Sequence, residues 1–372
     1  MKDAEISNRI ALLRFLMIFG VVLVHTPPTL KVDEMDGTLW AYLVSFLQNG
    51  VFRAGVPVLT VISGFLLFSS NSDLSYLRLL KKKAASLLIP FLLFNVGHIA
   101  LQLVLRLVTG KWLGEDLIGQ NVEMWMNSLF SLRKPPENEP LHFLRELIVL
   151  VVLSPIFGML IRRAPIAGLV VVSALFLTNS DGFLINRSDM PVEFYVGGLA
   201  AVYRWNLKAL DRFSYVSFIL FCAACAIVIT YEIDDITWLR LMAPILVWSA
   251  VSPLVQTRLG KWLASMSIFS FFIYLTHAPL MRFTWIVFQK IAPGFPVPLF
   301  TAISPFAIAA VCIGLYKAAH VLLPAQLNWA LGSRGEKRHI ASPLPETVKA
   351  GNEHAPAAEE TLVPVVGKAS LS

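Results

Sequence analysis

Long apolar runs separated by short polar connections dominate the chain. A bilayer has a hydrocarbon core of about 30 Å, which a helix of about 20 apolar residues crosses. The predicted spans are residues 10–26, 40–50 continuing after a break through 55–70, 84–108, 143–161, 165–179, 191–205, 213–231, 237–255, 263–281 and 299–322. We therefore predict an all-α, polytopic membrane helical bundle of about ten transmembrane helices.

Basic residues fall in every second connection between these runs. The clusters are Lys2 and Arg9; Arg78 with Lys81 to Lys83; Arg162 and Arg163; Arg204, Lys208 and Arg212; and Arg258 and Lys261. Short loops rich in Lys and Arg stay in the cytoplasm, so both termini are predicted to be cytoplasmic. The carboxyl-terminal region loses the apolar pattern and becomes rich in Ala, Pro and Glu. We predict a transmembrane domain over residues 1–325 and a disordered cytoplasmic tail over 326–372.

Composition supports the membrane assignment. The 372 residues are 56% hydrophobic and 15% charged, and the mean hydropathy of +0.67 lies outside the range of soluble globular domains. The net charge of +7 is explained by the cytoplasmic connections, so no nucleic-acid partner is expected. The seven histidines are scattered without paired ligand spacing, so no metal site is expected.

The first span, "LRFLMIFGVVLVHT", carries Arg14 and His25. Eleven residues of α-helix turn about 1100°, so the two side chains share one face and lie about 16 Å apart. A charged side chain near the bilayer centre costs about 3 kcal/mol, which marks such residues as functional candidates. The alternative is that both lie near span ends, where Arg snorkels and His meets water.

The second span contains "VFRAGVPVLTVISGFLLF", with Arg53 beside Gly55 and Pro57. These residues predict a broken helix, which a membrane tolerates mainly where the helix lines a cavity. Ser63 and Gly64 follow at small-residue positions. They suit either a binding site or close helix packing.

Three consecutive lysines, Lys81, Lys82 and Lys83, precede the third span. Their charge sets topology and attracts lipid headgroups. The alternative is a docking site for the phosphates of a cytoplasmic cofactor, because lysine is a point cation that binds phosphate without strict geometry.

Two later motifs place polar groups at the mouths of spans. "PLHFLREL" brings His142, Arg145 and Glu146 within about one helical turn, where the charges bind substrate or neutralise their neighbours. "FSFFIYLTH" places Tyr274 and His277 on one helix face. His277 is either a functional group or a histidine satisfied in the core.

Taken in order, these motifs resemble the acyltransferase-3 family of integral membrane O-acyltransferases. The matching features are Arg14 and His25 in the first span, "RAGVP" and "ISGFLLF" in the second, the basic entrance from Lys81 to Pro90, "PLHFLREL", and "SFFIYLTH". The resemblance covers roughly residues 8–325 and is nearest to the succinoglycan-type exopolysaccharide succinyltransferases. His142 stands where the family usually has tryptophan.

The resemblance implies an acyl-CoA-dependent O-acyltransferase of the bacterial cytoplasmic (inner) membrane. It would transfer succinyl, or alternatively acetyl, to a sugar hydroxyl of an exopolysaccharide or its lipid-linked precursor. The donor is succinyl-CoA or acetyl-CoA, and no permanently bound cofactor is expected. The expected partners are the polysaccharide or lipid-linked oligosaccharide acceptor, membrane lipids and other polysaccharide-assembly proteins. Rival hypotheses are an osmoregulated periplasmic glucan succinyltransferase and a polysaccharide transporter or flippase.

The resemblance also suggests roles for the motif residues. His25 is the expected base, or the group that is acylated first. Arg14 would hold the donor, and Arg53 would stabilise an oxyanion or bind the carboxylate of a succinyl group. The other expected donor- or substrate-binding residues are Lys81, Lys82, Lys83, Ser63, His142, Arg145, Glu146, Tyr274 and His277.

Overall fold

Helices account for all the regular secondary structure in the computed structural model, which describes residues 4–29, 37–109, 117–178, 184–187, 189–292 and 294–332. No β-strand occurs in these ranges, which confirms the all-α prediction. The α-helices are α1 (Ala4–Val24), α2 (Leu39–Ser45), α3 (Gly55–Ser69), α4 (Tyr76–Lys83), α5 (Ile89–Thr109), α6 (Val122–Phe130), α7 (His142–Arg163), α8 (Pro165–Leu177), α9 (Asp189–Val202), α10 (Ser214–Thr230), α11 (Thr237–Ala250), α12 (Ser252–Val255), α13 (Arg258–Ser265), α14 (Ser267–Ile291), α15 (Val297–Leu322) and α16 (Pro324–Ala330).

Seven helical segments among the described residues are long and apolar enough to cross a membrane. They are Ala4–Val24, Leu39–Ser69, Ser72–Leu107, Glu139–Arg163, Asp211–Thr230, Ser267–Ile291 and Val297–Leu322. The remaining predicted spans form α8, α9 and α11, which have 13, 14 and 14 residues. These are shorter than the roughly 20 residues that a span needs. The count of about ten and the location of the termini stay predictions.

α9 is a short helix that lies inside the bundle. Most of its side chains are buried, and its backbone packs directly on α3. A Cβ added at Gly64 would collide with the Phe194 carbonyl oxygen, and one at Gly197 would collide with the Val61 carbonyl oxygen. Small residues let membrane helices approach this closely. The close-packing interpretation of Gly64 is therefore the one that the structure supports.

The predicted break in the second span is present. A π-helical segment, Phe46–Gly50, and a 3-10 segment, Val51–Ala54, separate α2 from α3. The side-chain amide of Gln48 donates to the carbonyl oxygens of Leu23 and Thr26, at 3.1 and 2.9 Å. This fastens the break to the end of α1 that carries His25.

The opposite end of α1 is held by ion pairs. Both terminal nitrogens of Arg9 donate to the Asp211 carboxylate at 2.7 Å, and Arg9 is fully buried. Lys208 pairs with Glu5 at 2.6 Å. The Arg9 guanidinium also stacks 5.0 Å from the centre of the Trp248 ring. We call Glu5, Arg9, Lys208 and Asp211 the Arg9 network.

The chain divides into two units, residues 1–335 and 336–372. The second lies outside the described residues, as does most of the predicted tail. Within the predicted tail, α16 continues to Ala330 and buries Leu327. The boundary at residue 325 stays a prediction.

Candidate active site

A small cavity lies at the His25 end of α1, with a volume of about 100 Å³. It is bounded by α1, the broken segment before α3, the start of α7, and α14. Its polar lining residues are His25, Arg53, Glu139, His142, Arg187, Arg240 and Tyr274. The structure thus brings together four of the predicted site residues, and we call this space the His25 cavity.

His25 and His277 face each other at this end of the bundle, with ring centroids 5.6 Å apart. The Nδ1 atom of the buried His277 lies 3.0 Å from the carbonyl oxygens of both Ile273 and Tyr274. Carbonyl oxygens only accept hydrogen bonds, so Nδ1 carries the proton and Nε2 carries a lone pair. This Nε2 has no hydrogen-bond partner among the described residues, which leaves it available as an acceptor beside His25.

His142 and Tyr274 fix the wall formed by α7 and α14. The Tyr274 hydroxyl donates to the carbonyl oxygen of Pro140 at 2.6 Å. His142 Nδ1 donates to the carbonyl oxygen of Glu139 at 2.8 Å, and its Nε2 accepts from Arg187 at 3.4 Å. Both side chains reach the cavity with their hydrogen-bonding atoms already engaged, which makes them rigid parts of the wall.

Three guanidinium groups line the cavity, and we call Arg53, Arg187 and Arg240 the arginine cluster. Asp189 at the start of α9 lies 3.3 Å from Arg187 and 3.7 Å from Arg240. Arg53 donates to the side-chain carbonyl oxygen of Asn49 at 3.3 Å. The cluster therefore places more positive charge at the cavity than its one paired carboxylate offsets.

The sequence interpretation missed two members of this cluster. Arg240 lies near the end of a predicted span, where an arginine can reach water, and Arg187 lies in a connection between two predicted spans. The only available signal was a basic residue in the otherwise neutral or acidic connection "SDGFLINRSD".

Arg145 and Glu146 lie beside the site and hold its loops. Arg145 donates to Glu146 at 3.0 Å and to the carbonyl oxygen of Ser131 at 3.0 Å. Glu146 also accepts from the backbone N–H of Asn186 at 3.3 Å. The hydroxyl of Ser63 donates within its own helix to Leu59 at 2.7 Å. None of these three lines the His25 cavity, so their predicted contact with substrate stays a prediction.

Arg14 and the three lysines lie away from the cavity. The side chain of Arg14 is exposed although it lies in the middle of α1. Lys81, Lys82 and Lys83 end α4, which follows the connection where Asp73 pairs with Arg162. Arg162 is twenty residues along α7 from His142, a distance of about 30 Å. The lysines therefore lie at the opposite end of the bundle, and their predicted role in holding a donor is not tested by the cavity.

A larger apolar cavity of about 590 Å³ lies between α5, α14 and α15. Its polar lining includes His98, Gln102 and Arg282, and Gln102 contacts His98 at 3.0 Å. None of the predicted site residues lines it, so we place the candidate chemistry in the smaller His25 cavity. Within the described part of the chain, no group of three or more His, Cys, Asp or Glu residues is arranged to hold a metal ion.

Comparison with known proteins gives two matches. An acyltransferase domain of the acyltransferase-3 type matches residues 7–317. The chain is 31% identical over 365 residues to the succinoglycan biosynthesis protein ExoH of Rhizobium meliloti (strain 1021), and the alignment covers 94% of this chain and 98% of that relative. No solved structure matches the chain.

Proposed function

This chain belongs to the acyltransferase-3 family of multi-pass membrane acyltransferases, and from that premise we propose that it transfers an acyl group from acyl-CoA to a sugar hydroxyl. The acceptor is a bacterial exopolysaccharide or its lipid-linked precursor, reached in the cytoplasmic (inner) membrane among other polysaccharide-assembly proteins. Succinyl is preferred over acetyl as the transferred group. Similarity to a succinoglycan biosynthesis protein supports this choice of acceptor.

The observation that carries the proposal is the placement of His25 in a cavity with His277 and Arg53 beside it. A sugar hydroxyl is a weak nucleophile at neutral pH and needs a base that takes its proton during attack. Imidazole has an ordinary pKa of about 6.5, which suits a base at neutral pH. His25 is the proposed base, and the unpartnered Nε2 of His277 lies beside it as a free acceptor.

The transfer begins when His25 accepts the proton of the sugar hydroxyl. The hydroxyl oxygen attacks the thioester carbon, a C–O bond forms, and negative charge develops on the carbonyl oxygen beside Arg53. The C–S bond then breaks, and the departing CoA sulfur takes the proton from His25. A two-step route in which His25 is acylated first uses the same groups.

Arg14 supports this proposal from the other half of α1. The residue lies about 16 Å along the helix from His25, on the same face. A donor whose phosphate end contacts Arg14 and Lys81 to Lys83 would extend its acyl end toward the cavity. In this arrangement the charged nucleotide end of acyl-CoA stays near the three lysines, while its acyl end reaches the His25 cavity.

Mass spectrometry of exopolysaccharide tests the function. Cells would carry the wild-type protein, no protein, Arg14→Ala or His25→Ala at matched membrane abundance, with the exposed Arg163→Ala as the control. We expect the succinyl or acetyl mass increment to be absent from the strain without the protein and from the Arg14→Ala and His25→Ala strains. The increment should be present in the wild-type strain and in the Arg163→Ala control.

Two other outcomes would favour rival functions. If acylation persists while secreted polymer falls, the protein moves the glycan and is a transporter or flippase. If the missing acyl groups are found on periplasmic glucan, the acceptor is that glucan and the exopolysaccharide assignment is wrong.

A further inference from the structure

We infer that Arg187 and Arg240, positioned by Asp189, form a binding site for the distal carboxylate of a dicarboxylic acyl group, next to Arg53 at the thioester carbonyl. The inference rests on the proposed acyl transfer and adds to it the choice of donor. A thioester of a four-carbon dicarboxylic acid would place its carbonyl carbon near His25 and its free carboxylate against Arg187 and Arg240.

The charges at the cavity favour an incoming anion. Asp189 is the one carboxylate of the described residues within 4.0 Å of these three guanidiniums, and it is shared by Arg187 and Arg240. Glu139 also lines the cavity and attracts Arg53, but among the described residues it lies more than 4.0 Å from all three guanidiniums. The buried carboxyl of Glu193, one turn further along α9, attracts Arg187 and Arg240, also from more than 4.0 Å. Two guanidinium charges are thus not matched by an ion pair.

The hydrogen-bonding capacity of the cluster is also incompletely used. Arg240 Nε is buried without a hydrogen-bond partner in the described part of the chain. Arg187 and Arg240 keep 20% and 26% of their side-chain surface accessible. Guanidinium groups bind carboxylates through two parallel N–H donors, and this fork is what lysine lacks. The open fork points to a carboxylate as the ligand.

The size and lining of the cavity fit a short acyl chain. A volume of about 100 Å³ corresponds to about three water molecules, which is too little for an oligosaccharide. Ile18, Phe52, Val56 and Leu59 supply apolar wall beside the polar residues. Two methylene groups between a thioester and a carboxylate suit such a lining, because only the two ends of the group are polar.

Arginines elsewhere in the bundle show what a purely structural role looks like. Arg9 makes two contacts of 2.7 Å with Asp211 and is fully buried. Arg162 also contacts both oxygens of Asp73. Each of these guanidiniums has a carboxylate to itself. In the arginine cluster, by contrast, Arg187 and Arg240 share one carboxylate, and Arg53 donates to an amide oxygen.

The test compares donors that differ in one group. Full-length protein in lipid nanodiscs would be given polysaccharide from a strain lacking the protein, with succinyl-CoA, butyryl-CoA or acetyl-CoA as donor. Succinyl and butyryl groups have four carbons each, and only succinyl carries a carboxylate. The quantity measured is the ratio of kcat/KM for succinyl-CoA to that for butyryl-CoA. A ratio within one preparation does not depend on how much protein is correctly folded.

The wild-type protein is expected to prefer succinyl-CoA by at least about tenfold, as charge-assisted hydrogen bonds allow. Arg187→Gln with Arg240→Gln should lower this preference by about tenfold or more, while transfer of butyryl stays within about threefold of wild type. Arg187→Lys with Arg240→Lys should fall between the two, because charge is kept and the fork is lost. The control, Arg162→Gln, should keep the wild-type ratio.

Three outcomes would overturn the inference. A wild-type protein that transfers butyryl or acetyl as well as succinyl would show that no carboxylate is recognised, although acyl transfer would stand. Equal loss of all donors in the double variant, relieved by an uncharged acceptor, would assign the arginines to a carboxylate of the acceptor. No transfer from any donor would overturn the proposed function and this inference with it.

Discussion

The two ends of α1 use the same residue types in opposite ways. At the Arg9 end, Arg9 and Lys208 each contact a carboxylate at 2.6 to 2.7 Å, and the Arg9 guanidinium is inaccessible to water. At the His25 end, two arginines share Asp189 at 3.3 and 3.7 Å, and a third has an amide as its partner. Charges matched this closely hold helices together, whereas charges left partly unmatched around a cavity can bind a ligand.

The energetic reason lies in desolvation. A buried ion pair loses its hydration, and only close geometry with filled hydrogen bonds compensates for that loss. Arg9 comes close to this condition, because both of its terminal nitrogens donate to Asp211 at 2.7 Å, although its Nε has no partner among the described residues. Arg187 has only a 3.3 Å contact with a carboxylate that it shares with Arg240. The comparison therefore predicts that substitutions at the Arg9 end lower stability and that substitutions at the His25 end lower activity.

The largest effect is expected for His25→Ala. Removal of a general base costs about 10²- to 10⁴-fold in rate. Acyl transfer from succinyl-CoA by purified protein measures the rate, and thermal unfolding in detergent measures stability, which should not change. His320→Ala, an exposed histidine on α15, is the control and should keep full activity. A His25→Ala rate within tenfold of wild type would contradict the assignment of the base.

Arg9→Leu should produce the converse result. It leaves Asp211 unpaired at the Arg9 end of α1, and breaking a buried pair costs about 3–5 kcal/mol. A lower unfolding temperature and lower membrane abundance are expected, while the folded fraction keeps its KM for donor. The exposed Arg163→Leu should change stability by less than about 0.5 kcal/mol. If Arg9→Leu keeps normal stability but loses activity, the assignment of a structural role to Arg9 is wrong.

A smaller effect is expected for His277→Ala. His277 Nε2 has no partner in the structure, and a hydrogen bond that it accepts from His25 during catalysis would contribute about 0.5–1.5 kcal/mol, so the rate should fall about threefold to tenfold. The KM for donor should stay unchanged, because His277 is buried behind His25. The pH dependence of kcat/KM should shift if His277 positions the base. A loss as large as that in His25→Ala would instead mean that the two histidines act as one unit.

The smallest effect is expected for Lys81→Gln, Lys82→Gln and Lys83→Gln combined. If the lysines bind the donor phosphates, KM for acyl-CoA should rise severalfold at low salt and approach wild type near 1 M salt, where charges are screened beyond about 3 Å. The kcat value should not change. Lysine-to-arginine changes keep the charge and serve as controls. If the KM of the triple variant for acyl-CoA does not change with salt, the lysines do not bind the donor phosphates and their role is to fix topology.

Local features of the structure were predictable from the sequence. α1 contains Arg14 and ends at Val24, immediately before His25, whose N–H still donates to the carbonyl oxygen of Val21 at 3.2 Å, so the predicted helical segment between the two residues is present. Gly55 and Pro57 indicated the interruption before α3, since these residue types disfavour a regular helix. The all-α character followed from the lengths of the apolar runs.

The assembled site was less predictable, because it depends on which helices meet. Arg187 and Arg240 are 53 positions apart in the sequence and are joined only through Asp189. α9, predicted as a span over 191–205, lies inside the bundle, and an apolar run buried by other helices looks the same in sequence as one exposed to lipid. Hydropathy shows that a segment is apolar, but it does not show whether lipid or other helices surround that segment.

The glycine contacts between α3 and α9 have a consequence for motion. With Gly64 against Phe194 and Gly197 against Val61, the two backbones lie so close that we expect α3 and α9 to move together. Arg53 immediately precedes α3 and Asp189 begins α9, so both would move with these two helices. We therefore expect the cavity to open to a donor on the side of α7 or α14, with Arg53 and Asp189 keeping their relative geometry as it opens.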